Sequence, residues 1–337
     1  MNDARARLRY LDETIDLLFP GPGAPRPYSL LPHRLLPRRL VPRAWWHPGG
    51  KLIVPSGQDG IENHLSEVFD APVRVTLRVR PALRANRKPI LEARGPDGPI
   101  AFVKVGDTDL TRELVGHEAR TLDLLAGVPL KTVVPPAVLH HGSWRGLSVL
   151  ALTPLPVRRG RIPRGVLTDA IAEIARIPAG PVPDRVPPGN LPDPADRAFG
   201  VSTQAAGTGP ISGPISGRGF AWHGDLTPWN ISRGPDGRLL VWDWERFGTG
   251  VPLGFDAVHH FFQRALRRDD PATAARACVA RALRVLAPFG LSASESRLTA
   301  IRYLIALADR HTADGHAPLG PPELWLNPVV DSQETLL

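Results

Sequence analysis

Cysteine is nearly absent from this sequence, and its scarcity excludes several classes of protein. Cys278 is the only cysteine, so the chain can form no internal disulfide and no zinc site built on cysteine ligands. Long apolar runs are also missing, since no stretch reaches the roughly 18 apolar residues that a membrane-spanning helix needs. The N-terminal residues carry acids and lack the apolar core of a secretory signal. These absences predict a cytoplasmic protein without a transmembrane segment.

Lysine is scarce as well, although the chain is basic, with 41 lysine and arginine residues and a net charge of +8. The lysines are Lys51, Lys88, Lys104 and Lys131. Such a bias toward arginine can reflect genome composition, so it is not taken as a sign of nucleic-acid binding, and no nucleic-acid partner is expected. Residues 1–60 hold much of the excess and are interpreted as a basic, proline-rich N-terminal arm. The arm either attracts an anionic partner or surface or lies along the fold.

The next part of the chain, residues 61–153, predicts mainly antiparallel sheet. Val73 to Val79 alternates apolar and polar residues with period two, which is typical of a half-buried strand. Further strands are predicted at 89–93, 100–105, 135–139 and 147–152, and helices at 5–18 and 110–126. We therefore expect a five-stranded sheet with one inserted helix, preceded by irregular chain at 24–60 and followed by a hinge at 153–156.

Residues 154–337 predict a mainly helical second part. Helices are predicted at 165–177, 254–267, 271–288 and 294–311. Asp270 is placed to cap the third of these, and Ser292 with Glu295 forms a capping box for the fourth. The segment 178–219 is rich in proline, glycine and serine and shows no periodic pattern, so it is predicted to be a flexible loop.

Two pairs of adjacent histidines do not predict a metal site. Neighbouring residues of a strand point to opposite faces, and neighbouring residues of a helix point about 100° apart. Neither His140-His141 nor His259-His260 can therefore converge on one ion. We interpret them as packing or hydrogen-bonding histidines.

One group of polar residues has the side chains and spacing of a catalytic site. His223-Gly224-Asp225 is followed by Asn230, and an apolar run over 239–242 then leads to Asp243. Phosphoryl transfer requires a group that orients the attacking hydroxyl and hard oxygen ligands for metal ions. Asp225 can accept or orient a hydroxyl, and Asn230 and Asp243 can bind magnesium. The Gly-Pro-Asp-Gly turn at 234–237 predicts a hairpin that makes these two ligands neighbours.

This pattern resembles the aminoglycoside phosphotransferase and choline kinase family, a branch of the protein-kinase-like fold. The resemblance rests on the run 223–230 and on Val241-Trp242-Asp243-Trp244-Glu245. It implies a bilobal α+β fold, with an antiparallel-sheet N-lobe and a mainly helical C-lobe. It also implies that Asp225 is the catalytic base and that Asn230 and Asp243 are ligands of Mg²⁺.

Two supporting residues follow from the same resemblance. His223 is implied to be a structural member of the catalytic loop. Asp256, which follows Gly254-Phe255, is similar to the buried aspartate of the family that hydrogen-bonds the backbone of that loop.

The resemblance extends to the sheet-forming part of the chain. The run Phe102-Val103-Lys104-Val105 is similar to the strand whose lysine holds the nucleotide phosphates. Glu118, in the helix that follows, is the candidate ion-pair partner of Lys104. One segment departs from the pattern of protein kinases, because residues 80–89 contain no glycine where a glycine-rich loop is expected. Either side chains of residues 86–88 contact phosphate there, or the segment is a solvated basic turn.

The function implied is that of a kinase that uses ATP and Mg²⁺ to phosphorylate a hydroxyl of a small-molecule acceptor. The acceptor is left open, because residues 264–337 carry no strong acidic excess that would favour polycationic aminoglycosides. Two alternatives remain at this point. One is a pseudokinase that binds nucleotide or a partner without transferring phosphate. The other is an interaction protein that uses the arm 1–60 on an anionic partner.

Overall fold

The structure is a computed structural model of the chain, and it describes residues 3–31, 39–47, 51–79, 86–158, 160–178, 219–314 and 319–329. The chain divides into two compact units: unit 1 comprises Met1–Gly127 and Pro135–Pro156, and unit 2 comprises Val128–Val134 and Val157–Leu337. The predicted flexible loop at 178–219 lies outside the described residues except at its two ends. The 80–85 part of the glycine-free loop also lies outside them.

Helices and strands are numbered here in chain order. The α-helices are α1 Asp3–Leu18, α2 Ile61–Val68, α3 Asp109–Ala126, α4 Arg164–Ala175, α5 Phe255–Ala265, α6 Pro271–Ala280, α7 Ala282–Leu286 and α8 Ala293–Ala313. The strands are β1 Arg26–Leu31, β2 Arg39–Pro42, β3 Lys51–Val54, β4 Arg74–Arg78, β5 Ile90–Gly95, β6 Gly98–Gly106, β7 Val133–Val134, β8 Val138–Trp144, β9 Leu147–Leu152, β10 Phe220–Trp222, β11 Ile231–Arg233, β12 Leu239–Val241 and β13 Gly248–Val251. Short 3-10 helices occur at Ala287–Phe289 and Pro322–Leu324.

Unit 1 is built on an antiparallel sheet whose described strands follow the order β3-β1-β2-β4-β5-β6-β9-β8. Side chains alternate between its two faces, as the period-two pattern predicted. Val75 and Leu77 of β4 are buried in the core, while Glu92 of β5 lies opposite Thr76 on the other face. Among the described residues the sheet has eight strands where the sequence predicted five, because β1, β2 and β3 join it.

The prediction of irregular chain over 24–60 is therefore wrong at β1, β2 and β3. Leu40 of β2 pairs with Leu77 of β4, and both side chains are buried. Pro27 lies next to the start of its strand and Pro42 lies at the end of its strand. The prolines that suggested irregular chain are thus compatible with strands.

Helix α2, which the sequence analysis missed, is joined to the sheet by a buried carboxylate. Glu62 accepts hydrogen bonds from the Tyr28 hydroxyl at 2.7 Å and from the Val75 amide at 3.0 Å. Arg26 and Arg74 donate to its other oxygen at 3.1 and 3.0 Å. A buried carboxylate is stable when it is paired and hydrogen-bonded in this way. Glu62 thus ties α2 to β1 and β4.

Unit 2 is mainly helical and contains two small sheets among its described residues. Strand β10 pairs with β13, and β12 lies between β11 and the parallel strand β7. Trp244, Phe262, Tyr303 and Trp325 are fully buried. The α+β fold class, with an antiparallel-sheet part and a mainly helical part, is confirmed.

Two details of the helices and strands differ from the predictions. The helix predicted at 271–288 is divided at Arg281, whose φ of −109° and ψ of 8° end α6 before α7 begins. The strand predicted at 135–139 begins only at Val138 and runs to Trp144. The caps predicted for α6 and α8 are present, with the Asp270 side chain on the Thr273 amide and the Ser292–Glu295 capping box.

Within the described part of the chain, no helix is both long enough and apolar enough to cross a membrane.

Candidate active site

The loop after β10 is held by hydrogen bonds to its backbone. The amides of His223 and Gly224 donate to the two oxygens of Asp256, at 2.7 and 3.3 Å. The guanidinium of Arg310 donates to the Gly224 carbonyl at 2.7 Å. Hydrogen bonds from the two amides and to the Gly224 carbonyl therefore hold the backbone that leads into Asp225.

Asp256 is a buried carboxyl near the N-terminus of α5. Burial raises the pKa of Asp256 to about 7, against the lowering effects of its two backbone donors and of the Arg310 charge. Because the two amide hydrogen bonds favour the charged form, the burial and the bonding act in opposite directions on this group. The amides of His223 and Gly224 therefore stabilise the charged form of Asp256, and Asp256 in turn holds the loop backbone.

Gly224 occupies a position that a side chain does not fit. Its φ is +79°, in the left-handed region that favours glycine, and a Cβ atom there would lie 2.0 Å from the Arg246 carbonyl oxygen. The close approach of the two backbone segments therefore requires the absence of a side chain at Gly224.

Gly224→Ala is expected to lower the free energy of unfolding by about 3 kcal/mol, since it combines left-handed strain with a backbone clash. Urea unfolding measures the loss. Gly290→Ala is the matched control, because Gly290 has the same φ of +79° and no atom lies within 4 Å of the point that a Cβ would occupy. The control should lose only about 1 kcal/mol from the left-handed strain. Equal losses in the two variants would contradict the contact with Arg246.

The Asp225 carboxylate is partly exposed, with 29% of its side chain accessible. Its Oδ2 accepts a hydrogen bond from Asn230 Nδ2 at 2.9 Å, and the same nitrogen lies 3.0 Å from the Asp225 carbonyl oxygen. Both partners of the Asn230 nitrogen are acceptors, so the amide NH₂ must face Asp225. Among the described contacts the Asn230 Oδ1 has no protein donor, and this oxygen is a hard ligand of the kind that Mg²⁺ prefers.

The hairpin predicted between Asn230 and Asp243 is present but shorter than expected. Strand β12 ends at Val241, and the Trp242 amide then donates to the Asn230 carbonyl at 3.1 Å. Asp243 follows with a φ of +75°, which is uncommon for a residue with a side chain. The chain therefore turns at Asp243, and the apolar run over 239–242 forms a strand only as far as Val241. The backbone pairing still brings the segments of Asn230 and Asp243 together.

His223 is fully buried inside this loop. Its Nδ1 accepts the Asp225 amide at 3.1 Å, and its ring lies 4.5 Å from the Trp244 ring. Burial lowers the pKa of His223 to about 4, although the negative charges of Asp225 and Asp243 act in the opposite direction. The imidazole is thus neutral at pH 7, and its contacts are those of a residue that shapes the loop.

Unit 1 contains the ion pair that the sequence predicted between β6 and α3. Lys104 Nζ lies 2.7 and 2.5 Å from the two oxygens of Glu118. The exposed fraction of the side chain is 9% for Lys104 and zero for Glu118. Glu118 lies on the buried face of α3 with Val115 and Leu122. The side chains of Lys104 and Glu118 therefore meet between β6 and α3.

The described residues of the glycine-free loop are partly engaged within unit 1. Arg87 lies 3.3 Å from Glu13 of α1, and its guanidinium stands 4.9 Å from the centre of the Tyr10 ring. Lys88 is buried. Arg87 therefore points toward α1, which neither of the two interpretations of this segment anticipated.

Three residues that contact the loop directly or through a neighbour were not assigned to the site by sequence reasoning. His259 Nε2 lies 3.1 Å from Asp225 Oδ1, Tyr303 contacts His259, and Arg310 binds the Gly224 carbonyl. A signal for the first was present, because His259 follows Asp256 by three residues and so lies on the same helix face. The adjacent His260 hydrogen-bonds the Leu226 carbonyl at 3.0 Å, so both histidines make hydrogen bonds, as predicted.

Comparison with known proteins gave matches only among solved structures. No family model matches the sequence, and no curated protein matches it. A candidate fructosamine-3-kinase from Haemophilus somnus 129PT is 14% identical with a TM-score of 0.48, over 81% of this chain and 96% of that chain. The ADP-bound aminoglycoside phosphotransferase APH(2'')-Ib is 11% identical with a TM-score of 0.45, over 79% and 95%.

A third solved structure is the ternary complex of streptomycin, ATP and APH(2'')-IIa. It is 12% identical with a TM-score of 0.43, over 75% of this chain and 92% of that chain. Aminoglycoside phosphotransferases, the family that the motif resembles, are therefore among the structures to which this chain is similar. Because the identities and TM-scores are this low, the function has to be inferred from the residues of the site.

Proposed function

We propose that the protein is an ATP-dependent phosphotransferase that moves the γ-phosphate to a hydroxyl group of a small molecule. The observation that carries the proposal is the contact of Asn230 with Asp225, in which one amide nitrogen lies 2.9 Å from Oδ2 and 3.0 Å from the backbone oxygen. This contact turns the Asn230 oxygen away from the Asp225 carboxylate, which is partly accessible. A base beside an oxygen ligand for a cation is the minimum that phosphoryl transfer requires.

Asp225 is proposed to act on the acceptor. The acceptor oxygen forms a bond to the γ-phosphorus while the bond from that phosphorus to the β,γ-bridging oxygen breaks, and ADP leaves. The proton of the acceptor hydroxyl passes to the Asp225 carboxylate. General-base assistance of this kind contributes about 10²- to 10⁴-fold in rate.

Asn230 and Asp243 are the proposed ligands of Mg²⁺. One amide oxygen and one carboxylate fit the preference of this ion for hard oxygen donors, with water and phosphate oxygens completing its coordination. When bound, the metal neutralises charge on the phosphates. Trp242, whose amide bonds the Asn230 carbonyl, keeps the two ligand-bearing segments paired.

Lys104 is proposed to hold the α- and β-phosphates. An ammonium that donates to a buried carboxylate keeps its charge and has a fixed position, which suits it to bind an anion. Glu118 supplies that carboxylate at 2.5 and 2.7 Å. A small-molecule acceptor, rather than a protein, is proposed because α5 begins at Phe255, soon after Asp243, and leaves no room for a long activation segment.

Mg-ATP is expected to stabilise the protein against thermal unfolding. At about 100 times its dissociation constant the ligand should add about 2.7 kcal/mol to the free energy of unfolding. Differential scanning fluorimetry with ATP, with Mg²⁺ and with both measures the shift. No shift at millimolar Mg-ATP would contradict nucleotide binding. A shift without phosphate transfer to any acceptor would support a pseudokinase instead.

A further inference from the structure

A buried pair of side chains, His259 of α5 and Tyr303 of α8, reaches the Asp225 carboxylate from inside unit 2. His259 Nε2 lies 3.1 Å from Asp225 Oδ1, and His259 Nδ1 lies 2.9 Å from the Tyr303 hydroxyl oxygen. Neither His259 nor Tyr303 is accessible to solvent. A histidine that only packs needs no such series of hydrogen bonds, so the arrangement indicates a role toward Asp225.

Only one arrangement of hydrogen atoms satisfies the hydrogen bonds among Tyr303, His259 and Asp225. An ionised carboxylate can only accept, so the proton must be on His259 Nε2. Burial lowers the pKa of His259, which leaves the imidazole neutral and Nδ1 as an acceptor. The Tyr303 hydroxyl must then donate to Nδ1, and burial raises the pKa of this phenol well above its ordinary value, which keeps it protonated. The hydrogen bonds therefore run in one direction, from Tyr303 through His259 to Asp225.

The pair is held in place by the same two helices that hold the loop backbone. On α5, His259 is three residues after Asp256, which accepts the His223 and Gly224 amides, so both lie on one face of the helix. On α8, Tyr303 is seven residues before Arg310, which again places them on one face. Each helix thus contributes one contact to the loop backbone and one to the carboxylate chain.

The Tyr303 ring is itself fixed by aromatic neighbours. It makes edge contacts with the rings of Phe255, His259 and Phe262, at centroid distances of 5.8, 5.8 and 6.2 Å. Edge-to-face contacts at these distances are favourable and restrict the ring orientation. The hydroxyl that orients His259 therefore has a defined position.

The two oxygens of Asp225 have different partners. Oδ1 faces His259 and Oδ2 faces Asn230, so rotation of the carboxylate would break one hydrogen bond or both. Each carboxylate oxygen can accept more than one hydrogen bond, so both keep a lone pair for a further donor. The carboxylate is thus fixed in orientation and remains able to accept a proton.

We infer that His259, oriented by Tyr303, is a positioning residue that fixes the Asp225 carboxylate for proton acceptance from the substrate hydroxyl. This inference rests on the proposed phosphotransferase function. A small displacement of a catalytic group costs about 10²-fold in rate, so the effect belongs in kcat.

Three variants test the inference by steady-state kinetics. His259→Leu removes the donor at similar volume and should lower kcat by about 30-fold with KM for ATP within about twofold. His259→Gln retains an N–H donor and should recover much of the loss. Tyr303→Phe removes only the hydroxyl that orients the imidazole, so it should lower kcat by less than His259→Leu does.

A double-mutant cycle separates positioning from a general loss of structure. In an Asp225→Asn background, His259→Leu should cause little further loss of kcat, because the carboxylate it positions is gone. Additive losses, or equal activity of His259→Leu and the wild type, would overturn the inference. His141→Gln is the control, since His141 contacts Ser148 in unit 1 and should leave kcat unchanged.

A spectroscopic measurement tests the hydrogen bonds from Tyr303 through His259 to Asp225 even if no acceptor is phosphorylated. In protein labelled at histidine, NMR should show His259 as the neutral Nε2–H tautomer with a slowly exchanging proton, and Asp225→Ala should shift that signal. A wild-type protein without transferase activity but with this signal would refute the proposed function and retain the hydrogen-bond chain. The Nδ1–H tautomer or a doubly protonated imidazole would overturn the inference.

Discussion

Asp225→Asn is expected to lower kcat for phosphate transfer by about a thousandfold and to leave the Kd for Mg-ATP within about twofold. The asparagine has nearly the size of the aspartate, and its one oxygen can keep the hydrogen bond from Asn230 Nδ2. Its NH₂ group then donates to His259 Nε2, with the imidazole proton on Nδ1 facing the Tyr303 hydroxyl. The loop backbone remains tied to Asp256 and Arg310 in the variant. The loss should therefore come from the missing base, and rapid-quench kinetics with labelled ATP measures it.

The control for this variant is Asp309→Asn. Asp309 is an exposed aspartate of α8, next in sequence to Arg310, and removing its charge should leave kcat unchanged. An Asp225→Asn variant as active as the wild type would remove Asp225 from the role of base. A variant that no longer binds Mg-ATP would instead assign Asp225 to nucleotide binding.

Lys104→Met is expected to lower the free energy of unfolding by about 4 kcal/mol, before any effect on function is considered. The substitution removes the ammonium that lies 2.5 Å from the fully buried carboxylate of Glu118. Taking away one partner of a buried pair costs this much because the remaining charge has already lost its hydration. Urea unfolding followed by circular dichroism measures the difference.

Two further variants test the physical cause of that loss. Lys104→Met combined with Glu118→Gln should recover part of the stability, because the second change removes the buried charge. Arg238→Met is the control for an exposed pair, since Arg238 Nε lies 2.6 Å from Asp236 at the surface. Solvent screens such a pair, so its loss should leave the unfolding curve nearly unchanged. Similar effects of Lys104→Met and Arg238→Met would contradict the role assigned to burial.

The hairpin at 231–241 was predictable because its determinants are local. The turn at 234–237 and the apolar strand that follows lie within a few residues of each other. The left-handed backbone of Asp243 was not predictable, since positive φ is uncommon for a residue with a side chain. The residue that follows it, Trp244, is fully buried.

The N-terminal strands could not be predicted from local pattern. Strand β2 pairs with β4 through Leu40 and Leu77, which lie far apart in the chain, and short strands rich in arginine and proline carry little periodic signal. Helix α2 is stabilised by the hydrogen bonds of Glu62 to Tyr28 and Val75, which no helical pattern reveals. Long-range pairing of this kind is therefore visible only in the folded chain.

For the contact of His259 with Asp225, the helix face was predictable from the sequence but the partner was not. The position of His259, three residues after Asp256, fixes the face of α5 on which its side chain lies. The identity of the group opposite that face depends on how the loop after β10 packs against α5, and Asp225 is 34 residues away in sequence. Sequence reasoning could reject a metal site at His259-His260, but it could not supply the hydrogen-bond partner.

The central claim is that Asp225 accepts the proton of a small-molecule hydroxyl during transfer of the γ-phosphate. It is tested most directly by incubating the wild type and Asp225→Asn with γ-labelled Mg-ATP and panels of sugars, amino alcohols and aminoglycosides. We predict that the wild type labels at least one acceptor and that Asp225→Asn labels the same acceptor about a thousandfold more slowly. Bound nucleotide with no labelled acceptor in any panel, or equal labelling by the two proteins, would contradict the claim.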